Sequence, residues 1–241
     1  WENVSFQRVL LTAVIAGAHV VVLVVSKDLG SALIFFVAYM TMLFVATSSY
    51  LWFGAGIAGG SVAAVAAYYL FPHVRRRVEA WADPWSDIAN KGYQVAQALF
   101  AIGTGGWFGM GLYRGMPEKI PVVDKDFVFA AISEEMGALY ALCVLFLCLG
   151  CYMQFMMIAM KMQAMFYKLI AFGLGSVYIT QVFLTIGGVT KFIPSTGVTL
   201  PLVSYGGSSI VSTFIIFQVI QGLYVLKRGE EEEEEHSSEE E

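Results

Sequence analysis

Long stretches without a charged residue constrain this chain more than any other feature. No Asp, Glu, Lys or Arg occurs in residues 9–26, 29–74, 136–160, 169–190 or 192–226. A transmembrane helix needs about 20 mostly apolar residues to cross about 30 Å of hydrocarbon. The second stretch is long enough for two helices, and two prolines, Pro194 and Pro201, shorten the last one. The sequence therefore predicts an all-α, polytopic membrane bundle with six spans, at 9–26, 29–47, 53–71, 137–159, 169–187 and 208–226.

The charge content excludes several classes of protein. Only 14% of the residues are charged, whereas a soluble domain carries roughly 25%. This argues against a water-soluble enzyme, a disordered chain and a nucleic-acid binder that relies on basic charge. Nine of the nineteen acids lie in residues 230–241, so the rest of the chain has a net charge of +4. Because a block of like charges repels itself, we predict a membrane domain over 1–228 and a disordered acidic tail over 229–241.

Basic residues in the short connections predict the orientation. The residues that would share one side of the membrane are Arg8, Lys161, Lys168, Lys227 and Arg228. The short connections of the other side contain Lys27 and Lys191. Lys and Arg accumulate in cytoplasmic loops, so both ends of the chain are predicted to be cytoplasmic and the segment 72–135 to be a large outer loop. So long a loop is usually functional, and the chemistry is expected there.

The first half of the outer loop contains basic and amide side chains. Arg75, Arg76 and Arg77 are adjacent, and their planar donors suit phosphate or carboxylate, although anchoring to lipid headgroups explains them equally well. Gln94 and Gln97 would share one face of a short helix at 92–100 along the membrane surface. These side chains are candidates for binding an anionic group at the membrane surface.

A glycine-rich stretch follows at residues 103–111 and includes Gly105 and Gly106. Glycine permits positive φ angles and a close approach of the backbone to a ligand. The stretch lacks the Lys-Ser or Lys-Thr pair of a phosphate-binding nucleotide loop, and no strand precedes it. Composition alone makes this a weak indication of a binding site.

One acid, Asp126, directly precedes the apolar residues 127–132. Partial desolvation near the membrane interface would raise the pKa of its carboxyl group towards that of a useful base, whereas an ordinary solvated acid is the alternative. Glu134 lies eight residues further on and would share a face with Asp126 if the helix were continuous.

A second outer segment, residues 194–209, combines prolines and glycines with hydroxyl side chains, among them Ser204, Tyr205 and Ser208. Lipid cannot satisfy the backbone groups that a broken helix frees. Such a segment therefore faces protein or a water-filled cavity. We predict that it forms a cavity wall.

Several motifs occur together in a specific order. They are Lys-Asp-Leu-Gly-Ser-Ala at 27–32, Gly-Tyr-Gln at 92–94, Gly-Gly-Trp-Phe-Gly-Met-Gly at 105–111, Asp-Phe-Val-Phe at 126–129 with Glu-Glu at 134–135, and Thr-Gly-Val-Thr-Leu-Pro-Leu-Val-Ser-Tyr-Gly-Gly-Ser-Ser at 196–209. Over residues 8–228 the chain resembles the SEDS family, the bacterial shape, elongation, division and sporulation proteins that include RodA and FtsW. That family has ten membrane helices, so the resemblance implies that this chain corresponds to the last six and that four are absent from it.

The resemblance also implies an activity. SEDS proteins are peptidoglycan glycosyltransferases that polymerise lipid II at the outer face of the bacterial cytoplasmic membrane, together with a class B penicillin-binding protein. Asp126 stands at the position of the family's essential aspartate. Val122-Val123-Asp124-Lys125 before it, and Thr196 in the late motif, depart from common family patterns and leave the elongation, division or sporulation subtype open. A chain that truly lacked four helices would be expected to be inactive.

The leading hypothesis makes Asp126 a general base, or the ligand of a divalent cation (Mg²⁺ or Mn²⁺). The arginines or that cation would stabilise the leaving pyrophosphate. The predicted substrate-binding residues are Arg75, Arg76, Arg77, Gln94, Gln97, Gly105, Gly106, Glu134, Ser204, Tyr205 and Ser208. A lipid II flippase is an alternative, although the six spans lack the charged residues common in coupled transporters. A non-catalytic scaffold for a transpeptidase is the third hypothesis.

Overall fold

The computed structural model describes residues 6–239, and among these it contains helices and no strand. Six helices are long and apolar enough to cross a membrane. They are α1 (Phe6–Val25), α2 (Leu29–Thr47), α3 (Tyr50–Leu70), α6 (Val128–Lys161), α7 (Met165–Val189) and α8 (Gly207–Glu239). The prediction of an all-α bundle with six spans is confirmed.

The predicted outer loop contains two further helices, α4 (Pro72–Ala82) and α5 (Tyr93–Gly105), and a 3₁₀ turn at Pro117–Lys119. Pro72 is the first residue of α4, where its fixed φ angle suits the helix and its missing N–H is no loss. The helix predicted at 92–100 is present, but it continues for five more residues to Gly105. The loop thus contains a pair of short helices joined by turns.

Helix α6 begins at Val128, nine residues before the predicted span. The backbone breaks at Gly137, where φ is 85° and ψ is 170°, so α6 consists of a short first segment and a long membrane-spanning one. Asp126 lies in the turn before this helix. The predicted common helical face of Asp126 and Glu134 is therefore wrong.

Helix α8 continues through the acidic residues to Glu239, where the sequence predicted a disordered tail. Glutamate is a good helix former, and residues added to an existing helix do not bear the cost of nucleation. Only the stretch Gly207–Gly229 has the apolar character of a membrane span. Residues 240 and 241 of the predicted tail lie outside the described part of the chain.

The core lies around α7, which packs against both α2 and α6. Three aromatic rings, of Phe155, Tyr178 and Phe217, join α6, α7 and α8 edge to face with centroids 5.0–5.7 Å apart. Edge-to-face pairing is the favourable arrangement for such rings. A second buried cluster, including Ala98 and Phe127, packs α5 and the start of α6 together.

Three connections meet at one end of the bundle: the one between α1 and α2, the long loop between α3 and α6, and the segment between α7 and α8. The start of α2 lies against the segment after α7, because an added Cβ at Gly30 would lie 3.1 Å from the Thr196 carbonyl oxygen. The indole Nε1 of Trp81 in α4 donates a hydrogen bond to the Lys191 carbonyl oxygen at 3.0 Å. The long loop and the segment 190–206 therefore form one continuous surface, as expected if all three connections lie on the same side of the membrane.

Candidate functional site

A cavity of about 510 Å³ opens at this end of the bundle. Its lining comes from five parts of the chain. Helix α4 contributes Arg76, Arg77 and Ala80, the turn before α5 contributes Asn90 and Lys91, α5 contributes Gln94 and Val95, and the remaining residues are Asp126 and Ser195. Three cationic side chains and one carboxylate therefore share a single cavity. Such a site suits an anionic ligand that also requires a base.

The three predicted arginines all lie in α4, but they have two different environments. Arg76 and Arg77 line the cavity. Arg75 instead forms an ion pair within α4, with its Nε 2.9 Å from Oε1 of Glu79. The other oxygen of Glu79 lies 2.9 Å from Nζ of Lys91, and these two partners hold the pKa of the Glu79 carboxyl below its usual value, with the Lys91 hydrogen bond contributing most. Glu79 thus fixes Lys91 at the cavity rim.

Asp126 is the carboxylate of the cavity lining. Burial raises the pKa of its side chain above the ordinary aspartate value. A backbone hydrogen bond and the positive charges of Arg77 and Lys125 oppose this rise, while the nearby Asp124 adds to it. Desolvation combined with a specific cationic neighbour, inside a cleft, is typical of a functional carboxylate. In the structure the predicted residue Asp126 is half-buried and lines the cavity.

Gln94 connects the cavity to the segment that carries Asp126. Its Nε2 donates a hydrogen bond of 2.9 Å to the Pro121 carbonyl oxygen. Gln97 is half-buried on the next turn of α5 and is not among the side chains that line the cavity. Of the two predicted amides, the structure thus brings Gln94 to Asp126.

The segment after α7 forms the wall that the sequence predicted, but through different residues. Ser195 lines the cavity, and Gly197 lies against Arg77, since an added Cβ would be 3.2 Å from a guanidinium nitrogen. Gly197 also has a φ of 77°, which a side chain would disfavour. The glycine therefore allows the arginine to pack against the backbone.

The predicted residues Ser204, Tyr205 and Ser208 do not line this cavity. The buried hydroxyl of Ser204 accepts a hydrogen bond from the Leu200 amide at 2.8 Å and closes a turn. The Tyr205 amide donates to the Asp124 carbonyl oxygen at 2.7 Å, while its ring is exposed. Ser208 is exposed in the first turn of α8. This segment supports the Asp126 turn through its backbone.

The predicted glycines pack against protein. A Cβ at Gly105 would overlap the Ser133 carbonyl oxygen in α6. The carbonyl oxygens of Gly106 and Trp107 accept hydrogen bonds from the amides of Ala138 and Leu139, at 2.8 and 3.2 Å. These bonds replace ones that the α6 helix loses at Gly137. Within the described residues, the glycine-rich stretch therefore supplies hydrogen-bond acceptors to the amides at the break in α6, and it does not line the cavity.

Glu134 and its neighbour Glu135 hold the chain that follows the glycines. Their carbonyl oxygens accept hydrogen bonds from the amides of Met110 and Gly111, each at 2.9 Å. Their carboxylates accept from the amides of Met116 and Tyr113, at 3.2 and 3.0 Å. Four backbone donors of one loop are thus bound by two consecutive acids. Glu134 was predicted to contact substrate, and in the structure it contacts this loop.

Sequence reasoning missed Asn90 and Lys91, and it did not single out Ser195 within the segment 194–209 that it predicted to be a cavity wall. Lys91 directly precedes the Gly-Tyr-Gln motif and Ser195 directly precedes the late motif, so proximity to these motifs was the available signal. No group of three or more His, Cys, Asp or Glu side chains that could hold a metal ion is found among the described residues.

Comparison with known proteins identifies the family. The model for the FtsW, RodA and SpoVE family, described as cell cycle protein, matches residues 1–228. The peptidoglycan glycosyltransferase RodA of Mycobacterium tuberculosis is 38% identical over 199 residues, which cover 83% of this chain and 42% of that protein. A probable peptidoglycan glycosyltransferase FtsW of Aliivibrio salmonicida is 37% identical over 194 residues, covering 78% of this chain and 48% of that protein. The chain therefore spans about half the length of these relatives.

The fold is also found in a solved structure, that of a peptidoglycan synthase complex described as coordinating polymerization and crosslinking. It superimposes with a TM-score of 0.73 at 24% identity, over 93% of this chain and 64% of the other. At this identity the similarity establishes the fold. The family match over nearly the whole chain establishes more: the protein belongs to the FtsW/RodA/SpoVE family of cell cycle proteins, the SEDS family, and is a multi-pass membrane protein.

Proposed function

We propose that this protein is a peptidoglycan glycosyltransferase that polymerises lipid II into glycan strands. The observation that carries the proposal is the half-buried carboxylate of Asp126 in one cavity with Arg76, Arg77 and Lys91. A base beside a cationic surface suits attack by a hydroxyl group on a sugar whose leaving group is a pyrophosphate. The names of the curated relatives support the same activity.

In the proposed reaction the 4-hydroxyl oxygen of the acceptor sugar attacks the anomeric carbon of the donor. Asp126 accepts the proton that this hydroxyl group loses. A glycosidic bond forms, and the bond between that carbon and the undecaprenyl pyrophosphate breaks. The departing pyrophosphate takes the bonding electron pair. Arg76 and Arg77 would bind its oxygens, since charge-assisted hydrogen bonds aimed at developing charge lower the barrier.

A divalent cation, Mg²⁺ or Mn²⁺, is proposed to bind only together with the substrate. Asp126 is the one acid among the cavity-lining residues, and Mg²⁺ is commonly bound by one or two carboxylates together with substrate phosphates. Asp126 and the pyrophosphate would therefore hold the ion jointly. When bound, it would neutralise charge on the leaving group.

The proposed location is the bacterial cytoplasmic membrane, with the cavity on the outer face and both ends of the chain in the cytoplasm. On the side opposite the cavity, Lys161 is the last residue of α6, Lys168 lies in the first turn of α7 and Lys227 lies near the end of the apolar stretch of α8. This fits the rule that the cytoplasmic side is rich in Lys and Arg. A class B penicillin-binding protein is the proposed partner.

Changing Arg77 tests the proposal at the leaving-group site. We expect Arg77→Gln to lower the polymerisation rate by about 10-fold or more, because a charge-assisted hydrogen bond contributes roughly 1.5–3 kcal/mol. Arg75→Gln, the matched variant two residues away, is expected to be much milder, since Arg75 is paired with Glu79. The measurement is glycan strand formation from lipid II in proteoliposomes containing the complete gene product that includes these residues.

A lipid II translocation assay in the same proteoliposomes separates the enzyme from a flippase. Polymer formation that is lost with Arg77→Gln supports the proposal. Translocation without polymer would support the flippase hypothesis, and neither activity would support a scaffold. Equal rates for the two arginine variants would contradict the assigned role of Arg77.

The pH dependence of polymerisation should report Asp126. Only the ionised carboxylate accepts a proton, so the rate falls as pH falls through its pKa, and burial raises that pKa. Asp124→Asn removes a negative charge that raises the pKa, and should shift the acidic limb of the pH–rate profile to lower pH. Lys125→Gln removes a positive charge that lowers it, and should shift the limb to higher pH. Identical profiles for the three proteins would count against Asp126 as the base.

A further inference from the structure

A turn rich in exposed aromatic and aliphatic side chains lies between α5 and the 3₁₀ turn. We call residues 107–113 the aromatic turn. Trp107, Phe108, Leu112 and Tyr113 are all exposed, and Phe108 and Tyr113 are 84% and 95% exposed. Proteins rarely leave so many large apolar side chains together in water, and such clusters usually mark an interaction surface.

The depth of this turn is set by its hydrogen bonds to α6. The Leu139 amide donates to the Trp107 carbonyl oxygen, and the neighbouring Ala138 amide donates to Gly106. Leu139 belongs to the long segment of α6, whose side chains Leu139, Tyr140 and Leu142 are themselves exposed and apolar. The aromatic turn is therefore continuous with an exposed apolar surface of α6, at the level where the long segment of that helix begins.

The backbone of the turn is held so that its rings point outwards. Tyr113 has a φ of 60°, a conformation that is uncommon for an aromatic residue and costs about 1–3 kcal/mol. The Glu135 carboxylate accepts a hydrogen bond from the Tyr113 amide at 3.0 Å and stabilises this conformation. The fold thus bears backbone strain at a residue whose ring contacts almost no other part of the described chain.

We propose that the aromatic turn inserts into the lipid–water interface of the bilayer and fixes the depth of the cavity. Trp and Tyr favour that interface because each has an apolar ring and one polar N–H or O–H group, and the side chains of Phe and Leu add apolar area. Helix α5 runs from Gln94 at the cavity to Gly105 beside the turn, so the position of the turn in the lipid is transmitted to the site. The inference concerns the lipid bilayer and is independent of the proposed chemistry.

Spin labels test this placement in vesicles of phosphatidylethanolamine and phosphatidylglycerol. Nitroxides are attached through Phe108→Cys, Glu118→Cys or Leu147→Cys, after the native residues Cys143, Cys148 and Cys151 are changed to Ala. Glu118 is exposed in the outer loop, and Leu147 is exposed in the middle of α6. Collision with oxygen, which concentrates in lipid, is compared with collision with a water-soluble nickel chelate.

We expect the oxygen-to-nickel collision ratio at position 108 to lie severalfold above that at 118 and below that at 147. A ratio equal to that at 118 would overturn the proposal, because the turn would then be in water. Low collision rates with both reagents would overturn it too, because protein would then cover the turn.

A second measurement keeps the native cysteines and uses tryptophan emission. Trp107→Phe should reduce the emission that brominated phospholipids quench, leaving the contribution of Trp52 in α3, and should leave the iodide-quenched emission unchanged. Loss of the iodide-quenched component instead would place Trp107 in water and overturn the proposal.

Discussion

Replacing Asp126 with Asn is expected to reduce lipid II polymerisation by about 100- to 10,000-fold, the range for removing a general base. The amide has nearly the same size as the carboxyl group but cannot accept the proton of the acceptor hydroxyl. The side chain would still lie beside Arg77 and Gln94 in the cavity. The rate of glycan strand formation in proteoliposomes measures the loss. Asp124→Asn, which changes an exposed neighbouring acid, is the matched control and should retain most of the activity.

The same variant should remain folded. Because burial raises the pKa of Asp126, its contribution to the free energy of unfolding is present at low pH and is lost as pH rises through the raised pKa. At neutral pH the Asn side chain removes the cost of a desolvated charge. The Tm in detergent is therefore expected to be equal to or above that of the wild type. A normal polymerisation rate would refute the assigned role, and a strongly lowered Tm would attribute the loss of activity to unfolding.

Gly137→Ala is expected to have the largest effect on stability. At a φ of 85° an alanine is strained, and its Cβ would overlap the Gly109 amide nitrogen and lie 2.5 Å from the Trp107 carbonyl oxygen. Strain and overlap together should lower the free energy of unfolding by about 3 kcal/mol or more. Polymerisation should fall as well, because the loop that contacts the break continues to Asp126. Unfolding by a denaturing detergent in mixed micelles measures the change.

Gly150 in the same helix provides the matched control. No atom outside its own helical turn lies within 4 Å of a Cβ added there. Gly150→Ala is therefore expected to be neutral or to stabilise α6 by up to about 1 kcal/mol, the difference in helix propensity. If the two alanine variants unfolded alike, the break at Gly137 would not be a feature of the folded protein.

The spans were predictable because charged residues are costly to bury in lipid and are therefore found at the ends of the spans. The prediction of 29–47 coincides with α2, and the prediction of 169–187 lies within α7. The break in α6 was not predictable in the same way. Gly137 is the first residue of the predicted span 137–159, so the sequence indicates a helix start there and not a break within a helix that begins at Val128. The groups that stabilise the break are about 30 residues away in sequence.

The residues of the candidate site were also only partly predictable from the sequence. Asp126, Arg76, Arg77 and Gln94 were predicted, and the structure brings them together. The glycines were recognised as places of close backbone approach, but composition does not say whether the approaching atom belongs to a ligand or to α6. Lys91 became visible as a cavity residue only when the fold placed it beside α4.

The hydrogen bonds across the break in α6 also have a consequence for the sequence in which parts of the protein enter the membrane. The acceptors, Gly106 and Trp107, precede the donors, Ala138 and Leu139, in the chain. Translation proceeds from the N-terminus, so both acceptors have already been made when Gly137 and the two donors leave the ribosome. The second half of α6 can therefore enter the membrane beside an existing partner, and its unpaired amides need not wait in lipid for a later segment.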